Sequence, residues 1–178
     1  MSSPDVPIRE CGECTMCCKV MGIEDLGKPA GKWCEQCAIG SGCRIYETRP
    51  EECRLFECGW KFDAALGPDW RPDRAKFLLQ YELGGKRLAV RVDPQRPDAW
   101  KREPYYSRLK QMAREAAAAG RYVIAVVVGG RATVIFPDRD VDVGFVNGDE
   151  RLVVTFFGRG EVVKVHQSDP RAAGIPYA

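Results

Sequence analysis

All nine cysteines of this 178-residue chain lie in one stretch, and this limits what the stretch can fold into. They are Cys11, Cys14, Cys17, Cys18, Cys34, Cys37, Cys43, Cys53 and Cys58. The surrounding residues are rich in glycine, proline and charge and contain few aliphatic side chains, so their burial cannot offset the entropy lost when the backbone is ordered. Such a segment needs a metal or covalent cross-links to keep one shape.

The redox state of these cysteines follows from the expected compartment. The N-terminus, MSSPDVPIRE, has no hydrophobic stretch that could serve as a signal peptide, and no run of 18 apolar residues occurs. We therefore expect a cytoplasmic protein without membrane contact. Thiols stay reduced in the cytoplasm, so these cysteines indicate metal ligands or redox groups before disulfides.

The cysteine spacing fits two kinds of metal site. Cys11 and Cys14 followed by Cys34 and Cys37 give the C-x2-C-x19-C-x2-C pattern of a zinc ribbon, and Cys17 with Cys14 fits the same downstream pair. The C-x2-C-x2-C run also resembles the loop that holds a ferredoxin 4Fe-4S cluster. The spacing alone leaves both zinc and iron open.

The number of cysteines indicates more than one simple site. One tetrahedral zinc ion or one cubane cluster uses four thiolates, which leaves five of the nine over. The remainder forms a second site, contributes to a polynuclear site, or consists of buried thiols. We predict at least one metal centre in this segment, with all nine cysteines as candidate ligands.

A longer motif connects the segment to a known family. GCRIYETRPEECRLFECGW at 42–60, with CGECTMCC and KPAGKWCEQC before it, resembles the YkgJ-like cysteine-cluster family, described as a zinc- or iron-chelating CxxCxxCC domain. The similarity covers about residues 9–61. It implies a metal-binding set of Cys11, Cys14, Cys17, Cys18, Cys37, Cys43, Cys53 and Cys58. Family members often have a histidine where this chain has Gln36. A similar cluster in flagellin lysine N-methylase looks like an iron–sulfur site.

Other residues of the motif have physical roles of their own. Thr48 and Glu51 form a capping-box pattern that predicts a short helix carrying Cys53. The predicted donors to thiolates are Arg44, Arg49 and Arg54. The aromatic side chains expected to shield the site from water are Tyr46, Phe56 and Trp60.

The rest of the chain has the pattern of an ordinary α+β domain. Apolar residues at spacings of three and four predict a helix over 104–119, and Gly84-Gly85 and Gly129-Gly130 predict two hairpin turns. Further strands are predicted at 141–146, 151–157 and 161–166. We expect a cysteine-cluster module at 9–63 packed on an α+β domain at 64–178, whose sheet is mostly antiparallel with one main helix.

The sequence favours binding over catalysis. The single histidine, His166, lies in a predicted strand, and no P-loop or nucleophile-elbow motif occurs. Asp138, Asp140 and Asp142 occupy alternate positions of a predicted strand. They indicate either a polar strand edge or ligands of a hard cation. The net charge of +2 gives little attraction for nucleic acid, although basic residues surround the predicted helix.

Two functions remain open. The first is a metal-binding protein with a structural or metal-carrying site, whose α+β domain offers a surface to a protein partner. The alternative is an iron–sulfur redox protein or a component of a protein-modifying enzyme.

Overall fold

The structure is a computed structural model that describes residues 9–147, 150–155 and 161–166. Its mixture of helices and mostly antiparallel strands confirms the predicted α+β class. The α-helices are α1 (Cys17–Val20), α2 (Glu51–Leu55), α3 (Gly59–Phe62), α4 (Pro72–Ala75) and α5 (Tyr105–Ala118). The strands are β1 (Cys37–Ala38), β2 (Gly42–Cys43), β3 (Phe77–Glu82), β4 (Arg87–Val92), β5 (Val123–Val128), β6 (Arg131–Ile135), β7 (Asp140–Phe145), β8 (Glu150–Thr155) and β9 (Glu161–His166).

In the part of the chain that the structure describes, the strands form three sheets. The largest has the order β3-β4-β5-β6-β7, and two-stranded pairs are formed by β1 with β2 and by β8 with β9. Within the described part of the chain, no helix is both long and apolar enough to span a membrane.

The chain divides into two compact units. Of the described residues, the first contains 9–80 and 91–100, and the second contains 81–90, 101–147, 150–155 and 161–166. Residues 64–80 and 91–100 thus group with the cysteine module, whereas the sequence suggested a break after residue 63. In the first unit the Asp93 N–H donates to the Lys76 carbonyl at 2.9 Å, which joins these later segments to one another.

The first unit has a small apolar interior. Trp70 and Phe77 are buried in an edge-to-face pair with ring centroids 5.6 Å apart. A second buried cluster consists of Met16, Val20 and Leu78. The half-buried residues packed against it are Cys14, Cys17, Met21 and Phe56. The cysteine module is therefore anchored on β3 through a few side chains.

The second unit is built on α5 and the β5–β6 hairpin. The predicted apolar stripe is confirmed at Tyr105, Leu109, Met112 and Ala116, but Ala119 is the exposed C-cap residue. Gly129 and Gly130 have φ values of 56° and 84°, as the predicted primed turn requires. The antiparallel register pairs Val128 with Arg131 across this turn.

The strand β5 lies in the middle of the large sheet. Its residues Ile124, Ala125 and Val126 are buried in succession, which confirms the expectation of a strand covered on both faces. The strands predicted at 151–157 and 161–166 form the separate β8–β9 pair. Residues 156–160, which include the end of the strand predicted at 151–157, lie outside the described residues.

Candidate metal centre

Both predicted C-x2-C segments fold into tight turns. The Cys14 N–H donates to the Cys11 carbonyl at 3.0 Å, and the Cys37 N–H donates to the Cys34 carbonyl at 3.0 Å. Turns of this kind aim two thiols at one point, as in zinc knuckles. All nine cysteines carry free thiols.

Six of the cysteines lie together, and we call them the six-thiol group: Cys17, Cys18, Cys34, Cys37, Cys43 and Cys53. The backbone brings several of them close. The Cys34 N–H donates to the Cys18 carbonyl at 2.9 Å. Cys37 lies opposite Cys43 in the β1–β2 ladder. Cys53 lies on α2, and the cysteines whose charge acts most strongly on its thiol are Cys18, Cys34 and Cys43.

A chain of hydrogen bonds connects the thiols at the centre of the six-thiol group. The Thr15 hydroxyl donates to Cys37, the Cys37 thiol donates to Cys18, and the Cys18 thiol donates to Cys17. Thr15 is buried, and its Oγ1 accepts the Gly40 N–H at 3.2 Å, which fixes the orientation of the hydroxyl. The Cys18 thiol thus lies between those of Cys17 and Cys37.

This crowding opposes ionisation of the thiols. The pKa of Cys18 is raised far above its ordinary value, first by the hydrogen bond to Cys17 and then by burial. Burial, followed by the charge of Cys18, raises the pKa of Cys37 to about 11. Burial and the neighbouring cysteines also raise the pKa of Cys53. Several thiolates can coexist here only if a cation offsets their repulsion.

One cation of the protein, which the cysteine pattern did not predict, already faces this group. The Lys28 ammonium is buried and donates to the carbonyls of Lys19 at 3.1 Å and Pro29 at 3.3 Å, and to that of Met21. Burial lowers the pKa of Lys28, while charge on Cys34, Cys18, Cys17 and Cys53 acts to raise it. Nothing in the local sequence distinguishes this lysine from a surface lysine.

The other three cysteines, Cys11, Cys14 and Cys58, form what we call the three-thiol group. Backbone N–H groups of Met16 and Asp73 donate to the Cys14 sulfur, and those of Trp60 and Lys61 donate to the Cys58 sulfur. Such N–H donors favour the thiolate form. Burial nevertheless raises the pKa of Cys58 to about 11, and the cysteines that act most strongly on it are Cys11 and Cys14.

Arg9 ties the two parts of the three-thiol group together. Its N–H donates to the Lys61 carbonyl at 3.1 Å, and its Nη1 donates to the carbonyls of Trp60 at 2.7 Å and Asp63 at 3.1 Å. The guanidinium also lies 5.0 Å from the Trp60 ring centroid. The segment that leads into Cys11 is thus held against α3, which begins directly after Cys58. Nothing in the sequence around Arg9 predicts this role.

The grouping differs from both sequence templates. Cys11 and Cys14 lie with Cys58, whereas Cys34 and Cys37 lie with Cys18, so the structure does not bring the four zinc-ribbon positions together. The single ferredoxin-like loop is divided as well, because Cys17 belongs to the other group. Cys14 and Cys17 both pack against the apolar cluster that contains Met16.

The predicted capping box at Thr48 is wrong. The helix α2 has Pro50 as its N-cap residue, without a side-chain hydrogen bond. A residue before proline is forced into extended backbone, and Arg49 has φ −60° and ψ 150°. Thr48 consequently ends a separate 3-10 turn, Tyr46–Thr48, and cannot cap α2.

The predicted supporting residues have mixed outcomes. Trp60 is buried and Phe56 half-buried, but Tyr46 is 57% exposed and therefore does not shield the site. Arg44 donates to the Glu35 carbonyl at 3.0 Å, so it holds the 34–37 turn and not a thiolate. The Arg49 guanidinium lies 3.9 Å from the Tyr46 ring centroid, and its buried Nε has no hydrogen-bond acceptor. Arg54 is exposed.

Asp138, just before β7, and Asp140 and Asp142 within it form a charged strand edge. Asp138 pairs with Arg139 at 3.1 Å, Asp140 with Lys110 at 2.9 Å and Asp142 with Arg131 at 2.6 Å. Because each carboxylate already has a basic partner, this pattern favours the polar edge over the cation site. His166 is exposed on β9, as expected of a strand residue.

The thiol donors suit a soft ion such as zinc or iron in their chemistry. The buried Arg49 Nε also lacks an acceptor, four residues before Cys53. Over residues 9–147, 150–155 and 161–166, however, no three histidine, cysteine, aspartate or glutamate side chains stand in a ready arrangement for one metal ion. Cys18 instead exchanges hydrogen bonds with Cys17 and Cys37.

Comparison of the chain with protein-family models, with curated proteins and with solved structures finds no match. The resemblance to the YkgJ-like family therefore depends on the motif residues alone.

Proposed function

We propose that this chain is a metal-binding protein in which cysteine thiolates hold zinc or iron, with a structural or metal-carrying role. The observation that supports the proposal is the gathering of nine free thiols into two groups by a segment with little apolar interior of its own. Protonated thiols packed against one another contribute little stability. Metal coordination would release their protons and stabilise the folded segment.

The residues around the thiols support the same function. Lys28 adds one positive charge beside the six-thiol group, and the backbone donors to Cys14 and Cys58 are of the kind that orient thiolate ligands. The motif shared with the YkgJ-like family also agrees with zinc or iron. A reducing compartment such as the cytoplasm suits nine free thiols.

Metal analysis of protein purified without oxygen tests the proposal. We expect at least one zinc or iron ion per chain, and we expect chelation to lower the melting temperature and to expose amides of residues 9–63 to hydrogen exchange. Colourless protein with zinc would argue against the iron–sulfur alternative. A brown protein whose visible absorption bleaches on reduction would favour it.

Two variants complete this test. Cys18→Ser, at the centre of the six-thiol group, should lose metal and stability. His166→Ala, which changes an exposed strand residue, should lose neither. Metal-free protein that is folded throughout residues 9–63, with the same melting temperature before and after zinc addition, would contradict the proposed function.

A further inference from the structure

We draw no further inference here: the strongest candidate, the exposed apolar side chains on the surface of the cysteine module at Ile39, directly after β1, and Leu55, at the end of α2, carries none, because nothing in the described part of the structure shows what covers them.

Discussion

Lys19 and Asp93 form a buried ion pair, with Nζ 2.6 Å from Oδ2 and side-chain exposures of only 7% and 5%. Lys19 follows Cys17 and Cys18 on α1, and Asp93 follows β4. The ammonium also donates to Gln95 Oε1 at 2.9 Å. This pair therefore fixes the helix that contributes two cysteines to the six-thiol group.

Asp93→Ala should destabilise the protein by about 3–5 kcal/mol, because it leaves the Lys19 ammonium buried without its counter-charge. Urea unfolding of the metal-loaded protein measures this loss. The double variant Lys19→Met with Asp93→Leu should lose much less, since no charge remains buried. Asp142→Ala, which breaks an exposed pair with Arg131, should leave the unfolding midpoint unchanged. Equal midpoints for Asp93→Ala and Asp142→Ala would contradict the importance of burial.

Gly59→Ala should destabilise the first unit by about 1–3 kcal/mol through overpacking. A Cβ atom at Gly59 would lie 3.0 Å from the Leu79 Cβ and 3.2 Å from the Leu79 carbonyl oxygen. The shift of α3 needed to relieve this contact would also displace Cys58. Gly67→Ala is the matched control, because a Cβ there meets no atom within 4 Å. Urea midpoints of the two variants provide the comparison, and a Gly59→Ala protein as stable as Gly67→Ala would show that α3 moves freely.

Arg9→Gln should weaken the three-thiol group selectively. The charged side chain donates to three backbone carbonyls, those of Trp60, Asp63 and Ala64, and its loss should cost on the order of 1–3 kcal/mol. Hydrogen exchange of the amides of residues 59–64 should become faster. Arg44→Gln is a matched change near the other group, because Arg44 donates to the Glu35 carbonyl. It should accelerate exchange only around residues 34–37, and a reversed pattern would contradict the roles given to these arginines.

The metal-free protein should lose stability as the pH rises from about 9 to 11. Burial raises the pKa of Cys37 and of Cys58 from 9.0 to about 11. Between these values the folded chain holds protons that the unfolded chain has released, so stability falls with increasing pH. Each thiol contributes at most about 3 kcal/mol to this loss.

Metal should reverse this pH dependence. Protons compete with the ion for thiolates, so the loaded protein should lose metal and stability as the pH falls. Thermal melts of the metal-free and loaded protein between pH 5 and about 11 give both curves. Parallel curves would mean that the thiols with raised pKa values do not bind the ion.

Regular elements were predictable where a short pattern specifies a local conformation. The stripe from Tyr105 to Ala116 needs only the helical period, and the Gly129-Gly130 turn needs only two residues that tolerate positive φ. The capping box failed for an equally local reason, since Pro50 restricts Arg49 and moves the start of α2 past Thr48.

The partition of the cysteines was beyond prediction from spacing. Their density near the N-terminus already indicated a segment that cannot stabilise itself by burial. It also made each of these cysteines a candidate ligand. Which thiols meet depends on long-range contacts, such as Arg9 with α3 and Lys19 with Asp93, and these close loops of 50 residues or more. Spacing describes how far apart ligands are along the chain, whereas coordination depends on their separation in space, and only the packed backbone converts one into the other.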